Sequence, residues 1–192
     1  MRTLRTIAWT VLAGISFGVA GAIAIIHSGI YNVAADLPHH PVEYWALYKA
    51  REHSVARRSR ELLPPDDFMA EHRLVRGAVI YEEACALCHL RPGLADTGFR
   101  RGLLPTPPDL TRWGRDPGET FWMVKHGVRM TGMPAWGRTY LDDDLWSVVA
   151  FLQRLPSLQE EEYLGMLAAG KTNPPEPAPA GSEISAARAG ER

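Results

Sequence analysis

The sequence predicts an all-α protein, with one apolar helix at its start and a small helical domain beyond it. Three observations carry that expectation. Thr6 to Ile26 contain no charged side chain. Further along, apolar residues recur at helical spacing, and no segment sustains a period-two alternation. Finally, Cys85-Ala86-Leu87-Cys88-His89 sets two thiols and an imidazole within about one helical turn.

The apolar stretch comes first, and residues 1–35 are read as an anchor with its juxtamembrane segment. About twenty such residues cross the hydrocarbon core as a helix. Arg2 and Arg5 precede it, and basic flanks stay cytoplasmic, so the remainder is expected on the periplasmic side of the cell inner membrane, as a single-pass protein. A cleaved signal peptide competes, because Val33-Ala34-Ala35 offers small residues. Signal h-regions run about 7–15 residues, and this stretch is longer, which favours retention. Gly14 and Gly18, extended by Ala22, form a small-residue face suited to another transmembrane helix.

Residues 36–66 read as a spacer. A helix is expected from Pro41, a good first-turn residue, to about Leu63, before Pro64-Pro65. Lys49, Arg51, Arg57, Arg58 and Arg60 give it a basic surface. A solvated spacer is favoured over a face that meets lipid headgroups or a partner subunit.

Residues 67–156 should form the main domain. Asp66 or Asp67 can cap a helix to about Ala84, with Leu74, Ala78 and Tyr81 on one face. A Gly/Pro-rich loop covers Pro92 to Trp113. Asp116-Pro117-Gly118-Glu119 reads as a capping box whose helix carries Phe121, Val124 and Val128 and ends before Gly132. Asp142 to Asp144 place negative charge at another helix start, followed by Leu145, Val148, Val149 and Leu152, with Pro156 as the stop. Residues 157–192 should hold one short helix and a disordered tail rich in Pro and Ala, too poor in large apolar side chains to offset ordering entropy. The formal net charge of -1 supplies no basic field for nucleic acid.

Cys-x-x-Cys-His is the pattern of covalent haem attachment. Two thiols one turn apart can each add to a vinyl group of one porphyrin, and the following histidine can bind iron. The chain has two cysteines in all, so the pair has no competing use elsewhere. A structural zinc site would need four ligands, and a second Cys/His pair is missing. A thioredoxin-like pair belongs on a βαβ unit. A disulfide between residues three apart closes too small a loop to add much. For the second axial position, Met133 sits in the loop Thr131-Gly132-Met133-Pro134, where glycine and proline can turn a thioether back toward iron. Met123 and His126 fall within the expected helix and Met130 at its end, so they rank below Met133. His126 would lower the potential that a methionine raises.

With these residues in view, the sequence resembles the class I cytochrome c family over about Glu71 to Leu155. Gly77, Tyr81, the Cys85 to His89 motif, Pro108-Asp109-Leu110, Gly132-Met133-Pro134 and the last helix carry the resemblance. It implies three to five helices around one haem c, with His89 and Met133 on the iron. It also implies that Pro108 offers its carbonyl to His89, and that Gly77 and Tyr81 let the first helix cross the last near Val148 and Phe151. Leu110 and Trp136 are expected at the haem, with Leu103, Leu104 and Trp113 as pocket or rim. The sequence departs from the family between His89 and Pro108, where Arg100, Arg101 and Arg112 are candidates for propionate contacts. The first 70 residues lie outside the minimal domain.

The expected function is single-electron transfer between redox proteins at the membrane, by a carrier rather than an enzyme. A dedicated subunit of a larger oxidoreductase is the rival within that class. A haem sensor or peroxidase-like enzyme with a displaceable sixth ligand is the rival outside it, and a non-haem interaction protein is a remote third.

Overall fold

The computed structural model describes residues 2–172; the tail expected to be disordered lies outside them. Among the described residues the chain is all-helical, with eight α-helices and no strand. It divides into two units, 1–35 and 36–192.

The first unit is helix α1, Arg2–Ser28. Its 27 residues give about 40 Å at 1.5 Å per residue, enough to cross a bilayer. Its composition meets the same requirement, and none of its residues is buried against protein. A methyl group added at Gly14, Gly18 or Gly21 would meet nothing within 4 Å.

The second unit contains α2 (Pro41–Arg58), α3 (Glu71–Ala84), α4 (Ala86–His89), α5 (Gly98–Arg101), α6 (Pro117–His126), α7 (Asp142–Arg154) and α8 (Glu160–Thr172). Its centre is the crossing of α3 over α7. Gly77 makes this possible, because a Cβ there would lie 2.0 Å from the Ser147 carbonyl oxygen and 2.7 Å from Phe151 Cβ. Ser147 thus takes the place expected for Val148, which lies instead in the adjoining core with Ala78, Tyr81, Phe151 and Leu155. The rings of Tyr81 and Phe151 are 5.3 Å apart. Each such side chain removed from water contributes about 1.5–3 kcal/mol.

A second apolar cluster joins α6 to α7 through Phe121, Val124, Leu145 and Val149, with the Phe121 ring stacked on Trp146 at 4.2 Å. Tyr140 is partly buried and packs against both clusters. The Asp116 cap forms as expected, its carboxylate accepting from the Glu119 amide at 3.0 Å. However, α6 stops at His126 rather than running on toward Gly132. Gly127 ends it with φ +66° and ψ -176°, a conformation open essentially to glycine alone. Val128 and Met130 therefore belong to the loop.

Two other boundaries differ from expectation. Helix α3 begins at Glu71 with Ala70 as its cap, because Asp67 is drawn into an ion pair with Arg73 at 2.9 Å. Helix α2 ends at Arg58; most of it is exposed, and its C-terminal half is tied to the rest of the unit. Val55 and Ser59 are buried, and Glu52 meets Arg115 at 2.7 Å, which also holds Glu119 at 2.6 Å. Gly118 permits this packing, since a Cβ there would lie 2.6 Å from the Leu62 carbonyl oxygen. The basic residues Lys49, Arg57, Arg58 and Arg60 remain on the exposed side.

Helix α8 completes the unit. Its Tyr163 is fully buried, packs on Phe151 at 5.9 Å and donates to Glu82 at 2.6 Å. Gly170 lies against Val79 and Val75 of α3.

Candidate functional site

The turn that carries the two thiols follows directly on α3. The Cys85 amide donates to the Tyr81 carbonyl, and the His89 amide returns to the Cys85 carbonyl at 2.8 Å, so the motif is one helical turn. Cys85 packs against the first core, and both cysteines are free thiols. Burial pushes the Cys85 thiol up to about 12, with Cys88 adding to the effect, and burial raises Cys88 as well. A redox dithiol needs a depressed pKa, so this environment does not suit one. Nor do the described residues hold any group of three or more His, Cys, Asp or Glu side chains that could bind a metal. The raised thiols speak against the thioredoxin-like alternative.

Just after His89 the chain takes an unusual course. Leu90 adopts φ 64° and ψ 172°, a strained conformation for any residue but glycine. It is held there from two sides. Its amide donates to Ala86, and the buried Tyr81 hydroxyl donates to its carbonyl. Burial raises the Tyr81 phenol far above its ordinary value, which keeps this donor protonated.

His89 Nδ1 lies 3.0 Å from the Pro108 carbonyl oxygen. That partner requires the proton on Nδ1 and leaves Nε2 with a free lone pair, the form in which an imidazole binds a metal. Burial, joined by the nearby Arg100 charge, lowers the histidine pKa against the opposing pull of the carbonyl. The ring is therefore neutral near pH 7. Pro108 is placed by the 3₁₀ turn that follows it, Leu110–Arg112, capped by the Asp109 carboxylate on the Thr111 amide. Leu110 packs against the first core beside Cys85.

Met133 and Trp136 both pack on the second core. The Met133 amide donates to Thr131 Oγ1 at 3.1 Å, and that hydroxyl donates to the Val128 carbonyl at 2.7 Å. Gly127 closes the loop; a Cβ there would lie 2.7 Å from the Pro134 carbonyl carbon. Gly132 is set against Leu103. Among the rivals, Met130 is exposed and His126 packs its ring on Trp122 at 4.9 Å. Trp113 is also exposed.

The three arginines considered for propionates each have a carboxylate partner. Arg100 pairs with Asp96 at 2.8 Å, Arg101 with Asp96 at 3.8 Å, and Arg112 with Asp109 at 3.2 Å. Arg100 also donates through Nε and Nη2 to the Pro107 carbonyl. Sequence reasoning missed Gly127, Thr131 and the Tyr81 to Leu90 bond. Only Gly127 left a legible sign, as a glycine just past a helical pattern.

The donor set fits a covalently held haem: two free thiols and an Nδ1-protonated imidazole on one turn, and a thioether in the loop after Gly127, with Cys85 packed on the first apolar cluster and Met133 on the second. Residues 72–152 match the family described as cytochrome C oxidase, cbb3-type, subunit III. No curated protein and no solved structure matches the chain. The segment 72–152 is a class I c-type cytochrome domain, and its cofactor is covalently bound haem c.

Proposed function

We propose that this chain is a membrane-anchored carrier that moves single electrons between redox proteins on the periplasmic side. Cys85 and Cys88 would hold the haem through two thioethers, and His89 and Met133 would bind its iron. When bound, the haem supplies a ferric/ferrous couple. The observation that carries the reading is the 3.0 Å pairing of His89 Nδ1 with the Pro108 carbonyl, which orients Nε2 and makes the ring a better donor. Met133 would supply a second protein ligand, which would leave no position for substrate. A thioether opposite an imidazole also favours the ferrous state relative to two imidazoles.

The chain's own residues limit rearrangement between oxidation states. Tyr81 fixes Leu90 next to His89, Thr131 fixes the Met133 amide, and Tyr140 packs against both apolar clusters. Helix α1, retained as an anchor, confines the search for partners to the membrane surface and raises their effective concentration.

A fixed subunit of a larger oxidoreductase is the second reading. The family description names an oxidase subunit, and the Gly14/Gly18 face of α1 is open to another helix. Mild detergent extraction distinguishes the two, since a subunit brings a stoichiometric partner and a carrier does not.

The test of the proposal is an intact mass and a reduced spectrum of the full chain taken from membranes. The expected result is one haem on a chain that still includes residues 1–35, with no carbon monoxide bound by the reduced form. Carbon monoxide binding without denaturant would overturn the closed iron site.

A further inference from the structure

The loop between His89 and Pro108 carries a chain of side-chain hydrogen bonds from Leu87 to Pro107. Thr97 donates through Oγ1 to the Leu87 carbonyl at 2.9 Å, two residues before His89. The same Oγ1 accepts from the Arg100 amide at 3.0 Å. The Arg100 side chain then forks onto the Pro107 carbonyl, with Nε at 3.1 Å and Nη2 at 2.8 Å. Its remaining nitrogen, Nη1, is held by Asp96 Oδ1 at 2.8 Å. From Pro107 the next residue is Pro108, whose carbonyl meets His89 Nδ1. These bonds close a ring that begins beside His89 and returns to it.

We infer that Asp96, Thr97 and Arg100 form a bracket that positions the Pro108 carbonyl on His89, with Arg100 acting as a positioning residue rather than a propionate ligand. The inference rests on His89 being the iron ligand. Three features support it. Arg100 is well covered, its side chain 16% exposed, so its orientation is enforced. Both nitrogens facing the loop are spent on one backbone oxygen, and the third is neutralised by Asp96. Pro107 and Pro108 have no amide hydrogens of their own, so the segment cannot fix itself by donating to neighbouring carbonyls. A guanidinium fork fixes such a carbonyl in two directions, which a lysine ammonium does not.

The consequence is electronic as well as geometric. A well-aligned Nδ1–H to carbonyl bond raises the donor strength of the imidazole and so favours ferric iron. Loosening the bracket weakens that bond and shifts the equilibrium toward the ferrous form.

The experiment uses the full chain with haem attached, as Arg100→Lys, Arg100→Gln and Thr97→Val. Proton NMR follows exchange of the His89 Nδ1 hydrogen, and redox titration gives the potential between pH 5 and 9. The wild-type protein must first show the methionine-to-iron charge-transfer band; its absence there refutes the ligand assignment, separately from the bracket. With the band present, Arg100→Lys, which keeps the charge, is expected to speed Nδ1–H exchange by about fivefold to tenfold, the value of one neutral hydrogen bond. Its potential should rise, with the pH profile unchanged, and Thr97→Val should move both in the same direction. Two results would overturn the inference. In one, Arg100→Gln alters the pH profile of the potential while Arg100→Lys does not, which marks a propionate partner. In the other, the variants lower only the melting temperature and leave exchange and potential as in wild type.

Discussion

Gly77→Ala isolates the helix crossing on which the domain depends. The added Cβ would lie 2.0 Å from the Ser147 carbonyl oxygen, 2.6 Å from its carbonyl carbon and 2.7 Å from Phe151 Cβ. Two of these are backbone atoms of α7, so no side-chain rotation relieves them. Ordinary contact needs about 3.4 Å, and α3 and α7 would have to separate by roughly 1 Å, opening gaps around Tyr81, Val148 and Phe151. Overpacking of this kind costs about 3 kcal/mol or more. Alanine in a helix interior returns about 1 kcal/mol relative to glycine. The net loss is therefore at least about 2 kcal/mol. For a domain of this size that lowers the melting temperature by roughly 6 °C or more. The assay is thermal unfolding of the haem-loaded full chain by circular dichroism, beside the wild type. A melting temperature equal to or above wild type is what helix propensity alone would give, and it would refute the close crossing.

Two further perturbations address the ligand loop and the α2 contact. Gly127→Ala puts a side chain at φ +66° and ψ -176° against the Pro134 backbone, at a cost of about 1–3 kcal/mol. The methionine-to-iron band should bleach at a lower temperature than in wild type, and unchanged bleaching would sink this view of the loop. Glu52 gives the pH dependence. Burial tends to raise its carboxyl, but Arg115 and then Arg51 outweigh this and hold it below its usual 4.5. A depressed carboxylate stabilises the fold above the unfolded value, and the gain is lost as pH falls through the folded one. Glu52→Gln should thus cost about 1 kcal/mol at pH 7, and the gap to wild type should shrink below about pH 4.5. A gap that fails to narrow as pH falls below the unfolded value would contradict the ion pair.

What could be read from the sequence followed from local chemistry. The Asp116 cap, the Gly77 crossing with Tyr81 and Phe151, and the apolar stripe of α7 all leave residue types at fixed spacings, and the structure shows them. That Met133 lies in a loop was legible because glycine and proline flank it. What was hidden has long-range or backbone partners. The α2 segment buries little beyond Val55 and Ser59, so its strongly charged pattern resembles a solvated helix. Its tie to the domain runs from Glu52 to Arg115, which no local spacing reveals. Arg100 offers the same lesson, because its partner is the Pro107 carbonyl, and a carbonyl is present at every residue. The stop at Gly127 could have been found, since a glycine after a helical pattern is a known terminator. The apolar periodicity through Val128 masked it.

The most direct test of the account compares the ferric and the carbon monoxide-treated ferrous spectra of full-length wild type, Met133→Leu and Met130→Leu. The account predicts that the methionine-to-iron charge-transfer band is lost, and carbon monoxide admitted, in Met133→Leu alone. A band that survives Met133→Leu, or one lost in Met130→Leu, would place a different side chain on the iron and contradict the account.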